Sequence, residues 1–216
     1  METELLITTD GSHTLYLAEI DESYHSTHGA IQESKHIFID AALKKCTKKT
    51  IHILEIGFGT GLNTFLTAIE ADKTEVDIFY TTLEKFPVQI ETALLLNYPA
   101  ILSNNTIFEK LHKAQWEKEI EICKRFWLKK IKCDFTDVSF EKKYDLVFFD
   151  AFSPEKQPEM WTENQFQKIY NACNEGAILT TYCAKGSVRR ALQAVGFKVE
   201  RLPGPAGKRE ILRASK

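Results

Sequence analysis

The sequence predicts an α/β fold: a mostly parallel sheet with helices on both faces, ending in an antiparallel strand pair and preceded by a small hairpin-and-helix appendage. Three observations carry this. Strand-like and helix-like segments alternate from Ile51 onward, the signature of stacked βαβ units. The apolar run Ile51 to Ile56 leads directly into Gly57-Phe58-Gly59-Thr60-Gly61, a strand-to-helix turn with glycines at alternating positions. Four acids, Glu55, Glu84, Asp134 and Asp150, fall at the ends of strand-like runs, where open α/β sheets place their ligands.

Residues 1–48 form the appendage. Leu5 to Thr9 and Thr14 to Ile20 flank Asp10-Gly11, a dipeptide suited to a tight hairpin. Tyr24 to Ala30 is polar and glycine-containing, a loop able to cover the site, and Ile31 to Lys45 reads as helix. The core is 49–216. After the first strand, Leu62, Phe65, Leu66 and Ile69 recur at helical spacing and give one apolar face. Val76 to Leu83 is a β-branched and aromatic strand ending at Glu84. Pro87 suits the first position of a helix to about Asn97, and 105–123 reads as a further helix. Phe126 to Cys133 is a strand ending at Asp134. Tyr144 to Phe149 is the apolar run of a strand buried on both faces, and it stops at Asp150. Thr162 with Gln165 resembles a capping box for a helix to about Asn174, with Gly176 at its end. Ala177 to Tyr182 is a strand and a short helix ends near Gly196. Phe197 to Leu202 and Arg209 to Arg213 then pair around Pro203-Gly204-Pro205-Ala206-Gly207.

The glycine turn narrows the ligand. Glycine permits left-handed backbone and close approach of a ligand. A dinucleotide site calls for G-x-G-x-x-G, whereas here the third glycine comes one residue early and Glu55 sits in the strand end. The result, E-x-G-x-G-x-G, is the pattern of class I S-adenosylmethionine (SAM) dependent methyltransferases, Rossmann-like enzymes whose cofactor carries no phosphate. Glu84, a little over twenty residues past Gly61, can take both ribose hydroxyls. By position, Asp134 accepts from the adenine amino group, Glu55 and the glycine backbone line the methionine end, and Asp150 faces the methyl group. Methyl transfer requires an aligned, unprotonated nucleophile, and an amine suits a carboxylate such as Asp150, which can orient it and take its proton.

Bulk properties add exclusions. A chain of 216 residues with net charge -2 fits one domain or one domain with an appendage, and does not bind nucleic acid by bulk positive charge. The five cysteines (Cys46, Cys123, Cys133, Cys173, Cys183) form no C-x-x-C pair, which points to reduced thiols rather than disulfides or zinc. Met1-Glu2-Thr3-Glu4 has no basic start and no apolar run reaches membrane-spanning length, so a soluble, untargeted, cytoplasmic protein is expected. His25 and His28 have a spacing seen in metal sites, but no third ligand is evident and no metal is expected.

The segment Asp150-Ala151-Phe152-Ser153-Pro154-Glu155-Lys156-Gln157-Pro158-Glu159-Met160-Trp161 fits D-[GA]-F-[SA]-P-x-x-x-P-[DE]-M-W throughout. It resembles the methyltransferase half of the MnmC family, bacterial enzymes that finish the methylaminomethyl group on the wobble uridine of certain tRNAs. Further matches are Leu54 to Asn63, Glu84-Lys85-Phe86-Pro87, Thr181-Tyr182 with Lys185-Gly186, and Gly207-Lys208-Arg209-Glu210. Early in the chain, Tyr24-His25-Ser26 and Gly29-Ala30 with Glu33-Ser34 look like the family's entry segment, so the likeness spans nearly the whole chain.

The resemblance implies methyl transfer from SAM to the exocyclic amine of 5-aminomethyl-2-thiouridine in tRNA, with Asp150 beside the amine. It implies cofactor contacts from Glu55, Gly57, Phe58, Gly59, Gly61, Asn63, Glu84, Lys85, Asp134 and Asp150. A pocket for the flipped base is implied at Phe152, Pro154, Met160 and Trp161, with Tyr24 and Ser26 from the entry segment. Candidate cations for tRNA are Lys185, Arg189, Arg190, Lys208 and Arg209, with Lys124, Arg125, Lys129, Lys130 and Lys132 as a second group. The best-known members carry a flavin-dependent oxidase domain that makes the free amine. This sequence ends without one, which implies a separate enzyme as the supplier. Cys133 also stands where a glycine is common. Two other functions suit the residues: methylation of a small-molecule amine, and a catalytically silent SAM- and tRNA-binding module, against which the intact Asp150 argues.

Overall fold

The computed structural model describes residues 3–216; Met1 and Glu2 of the acidic start lie outside them. The appendage opens with β1 (Thr3–Ile7), β2 (His13–Leu17) and β3 (Glu22–Ser23), an antiparallel three-stranded sheet. The β1–β2 connection is the five-residue loop 8–12, not a two-residue turn, because Asp10 ties the loop together. Its carboxylate accepts from Thr8 and Ser12 and from the Gln32 backbone N–H. Helix α1 (Ala30–Ser34) runs on into a π-helical turn at Lys35–Asp40 that buries three consecutive apolar residues, Ile37, Phe38 and Ile39.

The core follows as β4 (Thr50–Ile56), α2 (Leu62–Asp72), β5 (Asp77–Glu84), α3 (Ile90–Ala93), α4 (Tyr98–Ile101), α5 (Asn105–Lys113), β6 (Glu119–Cys123), β7 (Phe126–Lys132), β8 (Tyr144–Phe149), α6 (Glu163–Ala172), β9 (Cys173–Thr181), α7 (Gly186–Ala194), β10 (Lys198–Pro203) and β11 (Glu210–Ser215). These strands form one sheet in the order β10-β11-β9-β8-β4-β5-β7-β6, parallel from β9 to β7 and antiparallel at both edges. Every residue of β8 is buried. Side chains alternate across a strand, so Leu146 and Phe148 enter the core shared with α2, α5 and the π-helical turn. Val147 and Phe149 enter the opposite core, under α6 and α7. Each such burial stabilises the fold by about 1.5–3 kcal/mol.

Four local expectations are corrected. The helix expected over 105–123 stops at Lys113, and Glu119-Ile120-Glu121-Ile122 pairs antiparallel with β7 through a tight turn in which Arg125 has φ +65°. That segment alternates with period two, which a strand at the sheet edge satisfies and a helix does not. Pro87 does not start a helix: Gln89 is the extended N-cap of α3, which spans four residues. Gly176 lies inside β9 at φ +76°, where the β8–β9 register shifts, instead of ending α6. The capping box is half formed: Thr162 Oγ1 accepts from the Gln165 N–H at 3.3 Å, while Gln165 Oε1 is buried without a partner.

Candidate active site

The carboxyl ends of β4, β5 and β8, the segment after β7 and the appendage enclose a cavity of about 500 Å³. Its floor is set by the glycine turn. Gly57 has φ +93°, and a Cβ there would lie 2.6 Å from the Asp150 carbonyl oxygen, so only glycine lets the ends of β4 and β8 close together. At Gly59, with φ +51°, a Cβ would lie 2.8 Å from the Tyr24 ring. The appendage therefore lies directly over the turn. Tyr24, whose hydroxyl is pushed up by burial, stacks edge-on with Phe152 at 5.1 Å. Ser153 clamps the same loop to the appendage by donating to Glu22 from its N–H at 3.0 Å and its hydroxyl at 2.8 Å.

Three of the four strand-end acids face the cavity. Glu84 accepts from the backbone N–H groups of Gly59 at 3.0 Å and Phe86 at 2.8 Å, which fixes both of its oxygens at the turn. Asp134 is held at about 2 by the Lys85 ammonium 2.6 Å away and by the Thr136 hydroxyl and N–H. Asp150 accepts from Asn63 Nδ2 at 2.8 Å. Burial pushes its carboxyl up to about 7; the Asn63 bond opposes this, the negative charge of Glu33 adds to it and Lys208 opposes it.

Glu55, expected on the methionine side, is absent from the cavity wall. Strand alternation turns it onto the α2 face, where it is fully buried, accepts from Thr64 Oγ1 at 3.1 Å and is pushed up to about 8 by burial. Among the other expected residues, Gly57, Phe58, Gly59, Asn63, Lys85, Tyr24, Ser26, Phe152, Met160 and Lys208 line the cavity, and Gly61, Pro154, Trp161, Lys185 and Arg209 do not. Gly61 instead lies against His112 and Phe58. Trp161 sits behind the wall, donating from Nε1 to the Phe152 carbonyl at 2.8 Å and packing on Phe149. Lys185 is paired with Glu155, and Arg209 is exposed outside the cavity.

In the second group of cations, Lys130 is buried and donates to the Leu111 and His112 carbonyls at 2.9 Å each, while Arg125 pairs with Asp77 at 2.8 Å. Of the two histidines, His25 is buried, lies 2.7 Å from Thr60 Oγ1 and is lowered to about 4 by burial. His28 packs on Gly207. No cluster of three His, Cys, Asp or Glu able to hold a metal occurs among the described residues. The sequence reading also missed wall residues: Glu22, Thr60, Tyr182 and Glu33 line the cavity too. Glu33, Thr60 and Tyr182 stand within segments that resemble the family, but nothing local assigns their side chains a direction.

The site suits a nucleoside-bearing cofactor. It joins two turn positions that admit no Cβ to a carboxylate fixed at the turn, and a second, well-ionised carboxylate lies beyond. Residues 102–216 match the family model of S-adenosyl-L-methionine-dependent methyltransferases. The chain is 30% identical, over 94% of its length, to the "tRNA 5-methylaminomethyl-2-thiouridine biosynthesis bifunctional protein MnmC" of Actinobacillus pleuropneumoniae, and covers 34% of that protein. It is 31% identical over 89% of its length to the protein of the same name from Marinomonas, covering 31% of it. The chain thus spans about a third of these relatives. Among solved structures, MNMC2 from Aquifex aeolicus superposes with TM-score 0.82 at 32% identity, over 99% of this chain and 70% of that one. Spermidine synthase from Thermotoga maritima shares the fold, with TM-score 0.65 at 13% identity over 99% of this chain and 68% of that one. A family model matching more than half the sequence and the extent of the Aquifex match lead to one conclusion: the chain belongs to the S-adenosyl-L-methionine-dependent methyltransferases, within the MnmC methyltransferase family.

Proposed function

We propose that the protein methylates the exocyclic amine of 5-aminomethyl(-2-thio)uridine at the wobble position of tRNA, giving the methylaminomethyl form. The observation that carries this reading is Asp150. It is a carboxylate at the floor of the cavity, oriented by Asn63 and poised to exchange a proton near neutrality. When bound, the cofactor supplies a methyl group on a sulfonium that leaves as a neutral thioether. Glu84 would hold its ribose, the backbone at Gly57 and Gly59 would follow its methionine arm, and Asp134 with Lys85 would meet the adenine. Asp150 takes the proton of the incoming ammonium and directs the nitrogen lone pair into the cavity.

Tyr24, Phe152 and Met160 are among the apolar wall residues, and a base turned out of its stack would rest against them. The likeness to the MnmC proteins supports the tRNA substrate. On this reading the protein works in the cytoplasm, and a separate activity supplies the aminomethyl group. No described helix is long and apolar enough to cross a membrane.

The test is nucleoside mass spectrometry after incubating the protein with SAM and tRNA bearing 5-aminomethyl-2-thiouridine, beside tRNA lacking the amine. Conversion in the first sample alone is the expected result. Methylation of free small amines without RNA, or no conversion by cofactor-bound protein, overturns it.

A further inference from the structure

A second carboxylate shares the cavity with Asp150. Glu33 of α1 is only 8% exposed yet lines the wall. Its Oε2 accepts from the Ser26 N–H at 2.9 Å, whereas Oε1 has no aligned hydrogen-bond donor. The nearest cation to Oε1 is the Lys208 ammonium at 3.2 Å, an ion pair without hydrogen-bond geometry. That ammonium lies 4.8 Å over the face of Tyr182, whose hydroxyl donates to the carbonyl of Ala151, next to Asp150. An aromatic face and a buried carboxylate with a spare oxygen are what an ammonium group needs in place of its water. In this structure a side chain of the protein occupies that position.

We propose that Glu33, the face of Tyr182 and Asp150 form an ammonium subsite that receives the substrate amine in its protonated form, with Lys208 as the resident cation that gives way. This deepens the proposed function and rests on it, since it presupposes an amine substrate. The step balances. The entering R–CH2–NH3+ gives one proton to the Asp150 carboxylate, and the freed lone pair forms the N–CH3 bond. The S–CH3 bond breaks with its electron pair staying on sulfur, and the product leaves as the secondary ammonium. The Glu33 carboxylate forms and breaks no bond in the step. Its charge offsets the positive charge that the substrate carries before and after transfer.

The experiment compares full-length wild type, Glu33→Gln and Lys208→Met, each saturated with S-adenosylhomocysteine. Filter binding measures affinity for aminomethyl-bearing tRNA and for the same tRNA with plain uridine. The readout is the ratio of the two affinities, which a merely structural role for Glu33 does not move. Glu33→Gln is expected to lower the ratio about tenfold, toward one, with plain-uridine binding unchanged, and Glu33→Asp to restore part of it. Lys208→Met is expected to raise the ratio, because the competing cation is gone.

Equal weakening of both tRNAs in Glu33→Gln, or an unchanged ratio in both variants, overturns the inference. Should Glu33→Gln fail to bind cofactor, the direction of change in Lys208→Met decides alone. Wild-type protein that leaves the aminomethyl tRNA unmethylated while still preferring it over plain uridine refutes the methylation reading and not the subsite. An absence of that preference in wild type refutes the subsite.

Discussion

Replacing Glu55 by Gln is expected to stabilise the protein increasingly as pH rises. Glu55 is fully buried, its Oε1 has no aligned partner, and burial raises its carboxyl from 4.5 to about 8, with Thr82, Tyr80 and Asn63 as polar neighbours and Asp150 as the nearby negative charge. The native state therefore keeps a proton that the unfolded chain releases above 4.5, so native binds more protons than unfolded and stability falls with pH across that window. The slope is about 1.4 kcal/mol per pH unit, and the total between 4.5 and 8 is on the order of 5 kcal/mol. Gln keeps the shape and carries no proton to lose. Its hydrogen-bonding differences cost about 1 kcal/mol and do not vary with pH. Burial raises the Asp150 carboxyl in both proteins and that part is common to the two, while the repulsion between Asp150 and Glu55 belongs to wild type alone and adds to the difference. Urea unfolding from pH 5 to 9 reads the gap directly: near zero or slightly unfavourable to the variant at pH 5, and favouring it by several kcal/mol at pH 9. A difference independent of pH would show that Glu55 is ionised in the native protein and refute the argument.

Other residues give sharper yes-or-no tests. Asp150→Asn is expected to cut kcat by about 100-fold or more while cofactor affinity, measured by calorimetry, stays within a few-fold. In wild type, kcat should rise with pH through an acid limb near 7, since the unprotonated carboxylate is the working form. Gly57→Ala places a Cβ 2.6 Å from the backbone oxygen of Asp150 at φ +93°. The backbone conformation alone costs about 1–2 kcal/mol, and thermal unfolding should show a larger loss because that oxygen cannot swing away. Lys130→Met removes the donor to two carbonyls at the end of α5, so it should destabilise by about 2–3 kcal/mol. The salt dependence of tRNA binding should stay unchanged, since a buried lysine releases no phosphate counterion.

The parallel centre of the sheet was legible because its evidence is local: a strand buried on both faces, as in β8, needs an unbroken apolar run, and the glycine turn announces the place where backbones must touch. Where local evidence was ambiguous, tertiary context decided. The segment Glu119 to Cys123 carries alternation that fits an edge strand, but only the neighbouring β7 makes it one. Pro87 can open a helix or precede one, and the chain uses the second option. The same division runs through the site. Strand ends bring Glu84, Asp134 and Asp150 to the cavity wall, whereas Glu55, also near a strand end, lies on the α2 face outside it, since one residue along a strand reverses a side chain. Glu33 shows the deeper limit. It lies on a short helix far from Asp150 in sequence, and its carboxylate enters the cavity because the appendage folds back over the glycine turn, with Tyr24 seated on Gly59 and Glu22 bonded to Ser153. A site assembled from both units has its chemistry written at the strand ends. Of the two charges that act on Asp150, Glu33 comes from the cover and Lys208 from the sheet end, so the appendage lines the candidate site together with the sheet.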